Sequence, residues 1–100
     1  MTSREKEITK KVVGILVNQL KPRKIILFGS RAKGTHRHGS DFDFAVDMKR
    51  PGMKKEAEIR GAVEAVSGLY SVDVIYLKSV DPRLRNVVQN TGEVIYGKRG

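Results

Sequence analysis

Gly29 and Ser30 close an apolar run, Ile25-Ile26-Leu27-Phe28, and ten residues later Asp41-Phe42-Asp43 opens a second one. A glycine at a strand end lets a phosphate approach the backbone with no Cβ in the way. A serine hydroxyl and the free N–H groups of a helix start can then donate to phosphate oxygens. Gly-Ser alone is also ordinary turn chemistry. Asp41 and Asp43, at i and i+2, share one side of a strand with Cα atoms roughly 6–7 Å apart. Two such carboxylates suit Mg²⁺, which takes oxygen ligands and fills its shell with water and phosphate. An isolated Asp-x-Asp can equally be a solvated strand face or an Asx-turn. Here it sits between the apolar positions Phe42, Phe44 and Val46.

Asp73 lies inside Ser71-Val72-Asp73-Val74-Ile75-Tyr76-Leu77. An ionised carboxylate in an apolar strand is costly unless it is paired or bound to metal. Pairing with a Lys or Arg is the ordinary explanation. If its strand neighbours the Asp41 strand, the three acids form one cluster. With the phosphate grip, that cluster would be a two-metal site for nucleotidyl transfer. One Mg²⁺ would orient the triphosphate and the leaving pyrophosphate. The other would lower the pKa of the attacking hydroxyl, with Asp73 placed to take its proton.

These residues need a scaffold, and the hydrophobic pattern supplies one. From Ser3 to about Leu20, Ile8, Val12, Ile15, Leu16 and Leu20 recur at helical spacing, with Ser3 as the expected N-cap and Pro22 stopping the helix. Lys24 to Phe28 reads as a buried strand ended by Gly29. Ser30 to Lys33 is expected to start a short helix, and Thr35 to Ser40 to form a loop holding His36 and His38. Asp41 to Asp47 alternates, with Phe42, Phe44 and Val46 on one side and Asp41, Asp43 and Ala45 on the other. Lys54 to Ser67 is helical, with Ile59, Ala62, Val63 and Val66 as its stripe and Gly68 as its stop. Val72 to Leu77 is a third strand. Asp81-Pro82 opens a helix through Leu84, Val87 and Val88, and Glu93 to Tyr96 follows Gly92 as a short edge strand. Helices interleaved with strands predict an α/β (α+β) fold: a mixed sheet of three to four strands packed against helices.

Bulk composition narrows the function classes. One hundred residues, 39% hydrophobic and 31% charged, fit a single globular domain over residues 1–100. No apolar run is long enough for a transmembrane helix, and the N-terminus lacks the apolar segment of a secretory signal. Cysteine is absent, which excludes disulfides and thiolate metal sites and fits a cytoplasmic protein. The net charge of +9 favours anionic partners such as nucleotides, nucleic acid or an acidic protein surface. A Lys- and Arg-rich solvated surface is the plainer explanation, because the basic residues are scattered and only six aromatic residues are present.

Gly29-Ser30, ten residues, Asp41-Phe42-Asp43 and a later Asp73 together resemble the minimal nucleotidyltransferases of the DNA polymerase β superfamily. Arg31-Ala32-Lys33-Gly34-Thr35 and Ser40-Asp41 also look like that family, and the likeness spans nearly the whole chain. The resemblance implies a mixed, twisted sheet with helices against it. It implies that Gly29 and Ser30, with Arg31 beside them, bind the triphosphate. Asp41 and Asp43 would hold Mg²⁺, and Asp73 would complete the metal site and help deprotonate the nucleophile. For Arg31 and Lys33, as phosphate or partner contacts, a solvated helix face is the equal alternative, and solvent exposure is the default for His36 and His38.

Many stand-alone members of this family look like antitoxins that transfer AMP from ATP to a tyrosine of a small helical HEPN ribonuclease toxin. The resemblance therefore implies a cytoplasmic, ATP-using, Mg²⁺-dependent enzyme with a protein acceptor, alone or in an oligomer. Phosphate on the toxin would add negative charge where RNA phosphates must bind. Two other functions fit the residues. A binding module would neutralise its partner by contact alone, although intact Gly29, Ser30, Asp41, Asp43 and Asp73 argue against a retired site. Nucleotide addition to a nucleic acid would draw on the +9 charge, but the chain shows no evident template or acceptor domain.

Overall fold

The computed structural model describes residues 2–29 and 41–97. In chain order the elements are α1 (Ser3–Leu20), β1 (Lys24–Phe28), β2 (Phe42–Val46), α2 (Met53–Ser67), β3 (Val72–Tyr76), α3 (Pro82–Thr91) and β4 (Glu93–Gly97). The four strands form one sheet in the order β3-β2-β1-β4. β1 runs antiparallel to both β2 and β4, and β2 runs parallel to β3, so the sheet is mixed. The crossover between the parallel strands is α2, as a parallel pair requires.

Strand alternation divides the apolar residues between two layers. Ile25 and Leu27 of β1, with Phe42, Phe44 and Val46 of β2, meet Ile8, Val12 and Leu16 of α1 and Ile59 and Val63 of α2. The rings of Phe42 and Phe44 stack with centroids 6.1 Å apart, and Tyr70 meets Phe42 edge-on at 5.6 Å. The opposite face carries a thinner cluster of Ile26, Ala45, Leu77 and Val88, covered by α3. Of the apolar residues foreseen on α3, only Val88 is buried, while Leu84 and Val87 remain exposed. A ten-residue helix over a narrow patch has one residue-wide seam to bury.

The helix ends follow local chemistry, with one correction. The N-cap of α1 is Thr2, not Ser3: the Thr2 hydroxyl accepts from the Glu5 amide at 3.1 Å, and the Glu5 carboxylate accepts from the Thr2 amide at 2.8 Å. Thr2-x-x-Glu5 is a reciprocal capping box, whereas Ser3 would face Lys6, which has no acceptor to return. Lys21 ends α1 in the left-handed region, directly before Pro22. Asp81 caps α3 through the Arg83 amide at 2.7 Å with Pro82 at the first turn, and Gly68 and Gly92 end α2 and α3. The short helix expected from Ser30 and the loop expected from Thr35 lie outside the described residues. Among the described residues no helix is long and apolar enough to cross a membrane.

Candidate active site

The acids lie on the α3 side of the sheet because Phe42, Phe44 and Val46 take the other side. Asp43 stands opposite Phe28 of β1 and opposite Asp73 of β3. Directly paired residues on neighbouring strands point to the same face, with backbones about 5 Å apart. Hydrogen bonds at both ends of the parallel pair hold this register. The Phe42 amide donates to the Ser71 carbonyl at 2.9 Å, and the Leu77 amide donates to the Val46 carbonyl at 2.9 Å. A slip of one residue in either strand would turn its own aspartate into the apolar layer beneath α1 and α2.

Gly29 closes the site from β1. Its φ is +77°, and a Cβ there would lie 2.6 Å from Oδ2 of Asp43. The strand-end glycine and the second carboxylate thus touch across the β1–β2 ladder. Any side chain at position 29 would strain the backbone and displace the carboxylate. Asp41 is exposed and lies one residue before β2, on the same side as Asp43 by strand alternation.

Electrostatics agree with this clustering. Burial raises the pKa of Asp43 above its ordinary 3.8, and the charges of Asp73 and then Asp41 push it further in the same direction. Among the described residues no Lys or Arg forms an ion pair with Asp41, Asp43 or Asp73. The ordinary explanation of Asp73, a basic partner, therefore finds no support there. Three neighbouring carboxylates, two of which raise the proton affinity of Asp43, make a field suited to a cation. All the donors are oxygen, which suits Mg²⁺ rather than a softer metal. Among the described residues no three acid or imidazole groups close into a ligand cage by themselves. Mg²⁺ bound by one or two carboxylates and completed by phosphate needs no such cage.

The structure thus brings together Gly29, Asp43 and Asp73, with Asp41 beside them. Ser30, Arg31, Lys33, His36 and His38 lie outside the described residues. Sequence reasoning missed a groove of about 560 Å³ between α2 and β3, lined by Arg50, Arg60, Val63, Tyr70 and Val74 and reaching Asp73. Its only sequence signal is indirect: a parallel β-α-β unit leaves one side of the second strand unspecified.

A mixed sheet with helices on both faces, a strand-end glycine against a carboxylate, and a second carboxylate paired to the first across parallel strands is an arrangement suited to nucleotidyl transfer. The chain belongs to the family described as "Polymerase beta, Nucleotidyltransferase", whose pattern matches residues 10–99. It is 33% identical over 95 residues, 91% of this chain and 92% of the other, to "Putative protein adenylyltransferase MJ1379" of Methanocaldococcus jannaschii. It superposes with a TM-score of 0.77 and 26% identity on a chain in a crystal structure of a toxin–antitoxin with AMP-PNP, covering 90% of this chain and 73% of that one. A structure of the tri-AMPylated Shewanella oneidensis HEPN toxin in complex with MNT antitoxin shares the fold, with a TM-score of 0.71, 22% identity and coverage of 93% and 72%.

Proposed function

We propose that this nucleotidyltransferase moves AMP from ATP onto a tyrosine hydroxyl of a HEPN-type toxin and so acts as the toxin's antitoxin. The observation that carries the reading is the pairing of Asp43 with Asp73 while Gly29 packs against Asp43. The M. jannaschii relative named as a protein adenylyltransferase supports the reaction class. The similar toxin–antitoxin chain, crystallised with an ATP analogue, supports the donor and the kind of partner.

Gly29, with Ser30 and Arg31 after it, takes the triphosphate. Asp41, Asp43 and Asp73 would hold Mg²⁺, as two ions, which would supply positive charge to the phosphate oxygens and acidify the acceptor hydroxyl. The hydroxyl oxygen bonds to the α-phosphorus, the bond from that phosphorus to the bridging oxygen breaks, and pyrophosphate leaves with the electron pair. Asp73 accepts the hydroxyl proton. The partner must bring the acceptor to the Asp73 end of the cluster.

Mass spectrometry of a HEPN protein incubated with the chain, ATP and Mg²⁺ tests the proposal. The expected result is one or more AMP groups on tyrosine and an equal release of pyrophosphate. An unmodified HEPN protein whose toxicity is nevertheless blocked would replace the enzyme with a contact-only antitoxin.

A further inference from the structure

The face that carries the acids also carries a guanidinium with no counter-ion among the described residues. Asp73, Ile75 and Leu77 alternate onto the α3 side of the sheet, where Leu77 is buried and Ile75 partly buried against it. Arg85 of α3, itself partly buried, donates from Nε to the Leu77 carbonyl at 2.6 Å. This bond fixes the guanidinium plane and leaves its terminal amino groups to bond elsewhere. Among the described residues no carboxylate pairs with Arg85. Asp47 does not, although it follows β2 and alternation puts it on the same side. From Leu77 to Thr91 the cations are Lys78, Arg83 and Arg85, and the one acid is the capping Asp81.

We infer that Arg85 anchors the acceptor protein by taking one of its carboxylates as a two-bond pair while the acceptor hydroxyl meets the acid cluster. The inference rests on the adenylyltransferase reading and specifies how the partner is held. Asp43 and Asp73 face the α3 side, so the acceptor must approach over that side, which is where Arg85 lies. Leu77 is four residues from Asp73, which sets the two contacts on the order of 13 Å apart along β3. A helical protein supplies both groups from one helix face, an acid roughly two turns from the tyrosine. The spacing exceeds the Debye length of about 8 Å at physiological salt, so the acid cluster does not repel a carboxylate at Arg85. A planar guanidinium already fixed through Nε loses little freedom when it takes a carboxylate. The nucleoside half of ATP has no anion to match it. A nucleic acid needs a longer row of cations and rings for its bases, and residues 77–91 hold no aromatic side chain.

Calorimetric titration of the chain with a HEPN protein, in Mg²⁺ and a non-hydrolysable ATP analogue, tests the anchor while AMP transfer from ATP is followed separately. Arg85→Ala is expected to raise Kd for the HEPN protein, and its KM in transfer, by about tenfold or more, as loss of a charge-assisted bond does. KM for ATP should hold. Arg85→Gln keeps side-chain N–H donors without the charge. It should weaken binding alike, and it serves if the alanine variant does not fold. Arg83→Ala removes an equal charge from an almost fully exposed position on the same helix, and should leave Kd within about twofold. Added salt should weaken the wild type more than Arg85→Gln. Equal losses from Arg83→Ala and Arg85→Ala would trace the effect to net charge and overturn the anchor. So would an unchanged Kd, no binding by the wild type, a raised KM for ATP alone, or binding of RNA that Arg85→Gln abolishes. No AMP transfer by the wild type, with Kd still dependent on Arg85, would overturn the enzymatic reading and leave the anchor standing.

Discussion

Gly29 leaves β1 at a φ of +77°, with Oδ2 of Asp43 2.6 Å from the place a Cβ would occupy. The residue proposed to grip phosphate and the residue proposed to hold metal are therefore in mutual contact before either meets a ligand. This contact makes position 29 sensitive in two separate ways. Left-handed backbone costs an alanine about 1–2 kcal/mol, and the methyl group also pushes the Asp43 carboxylate aside. Gly29→Ala is expected to lower Tm and to reduce AMP transfer by more than about tenfold, since small misplacements at reacting centres are costly. Gly61→Ala is the control. Nothing lies within 4 Å of its Cβ position and it sits inside α2, so it should stabilise by about 0.5–1 kcal/mol and leave transfer unchanged. Thermal melts and transfer assays on the two variants check both outcomes.

Asp43 should make the ligand-free chain less stable as pH rises. Its pKa is above its ordinary 3.8 because of burial and the charges of Asp73 and Asp41. Below about 3.8 the group is protonated in folded and unfolded chains alike and contributes nothing. As pH rises from there through the folded value, the unfolded chain loses its proton first, and the folded state is penalised. The penalty is complete above the folded value and persists at neutral pH. Asp43→Asn should therefore raise Tm at pH 7 without Mg²⁺, by about 1–4 °C for a partly exposed group in a chain this size. The gain should vanish near pH 3. Mg²⁺ should stabilise the wild type and not the variant. A variant less stable than wild type at pH 7 would show that the charge cluster imposes no such penalty.

The start of α1 offers a purely structural check. Thr2→Ala removes the hydroxyl that accepts from the Glu5 amide, and such caps are worth about 1 kcal/mol. Ser3→Ala should be close to neutral, since Ser3 is the first residue inside the helix. Equal effects in denaturant melts would place the cap elsewhere.

Much of this arrangement was legible in the sequence. Every helix and strand in the described residues was foreseen, although β1 was read from a continuous apolar run rather than a period, and α3 and β4 bury little of what they carry. Asp41-Phe42-Asp43-Phe44 declared its faces, since the two phenylalanines take the buried side. The N-cap was one residue out because Ser3 is as good a hydroxyl as Thr2, and only the return bond from Glu5 separates them. Strand order was not legible: β2 and β3 are joined through α2, and nothing in either strand names the other as its neighbour. Hence the pairing of Asp43 with Asp73 could be stated only as a condition, which the register now meets. The Gly29–Asp43 contact was equally hidden, because φ at a glycine is not written in its neighbours. The groove beside β3 depends on how α2 lies over the strand, which apolar spacing does not determine.

The central claim is that the carboxylate cluster drives transfer of the α-phosphoryl group of ATP to a protein hydroxyl. The most direct measurement offers the chain and a HEPN protein ATP labelled on either the α- or the γ-phosphate, with wild type beside Asp41→Asn/Asp43→Asn and Asp73→Asn. The account predicts that the α-label, and not the γ-label, becomes fixed to tyrosine. It predicts that the double variant abolishes the signal and that Asp73→Asn lowers the rate by about 10²-fold or more, as loss of a proton acceptor does. Fixation of the γ-label, or undiminished α-label transfer by the double variant, would contradict it.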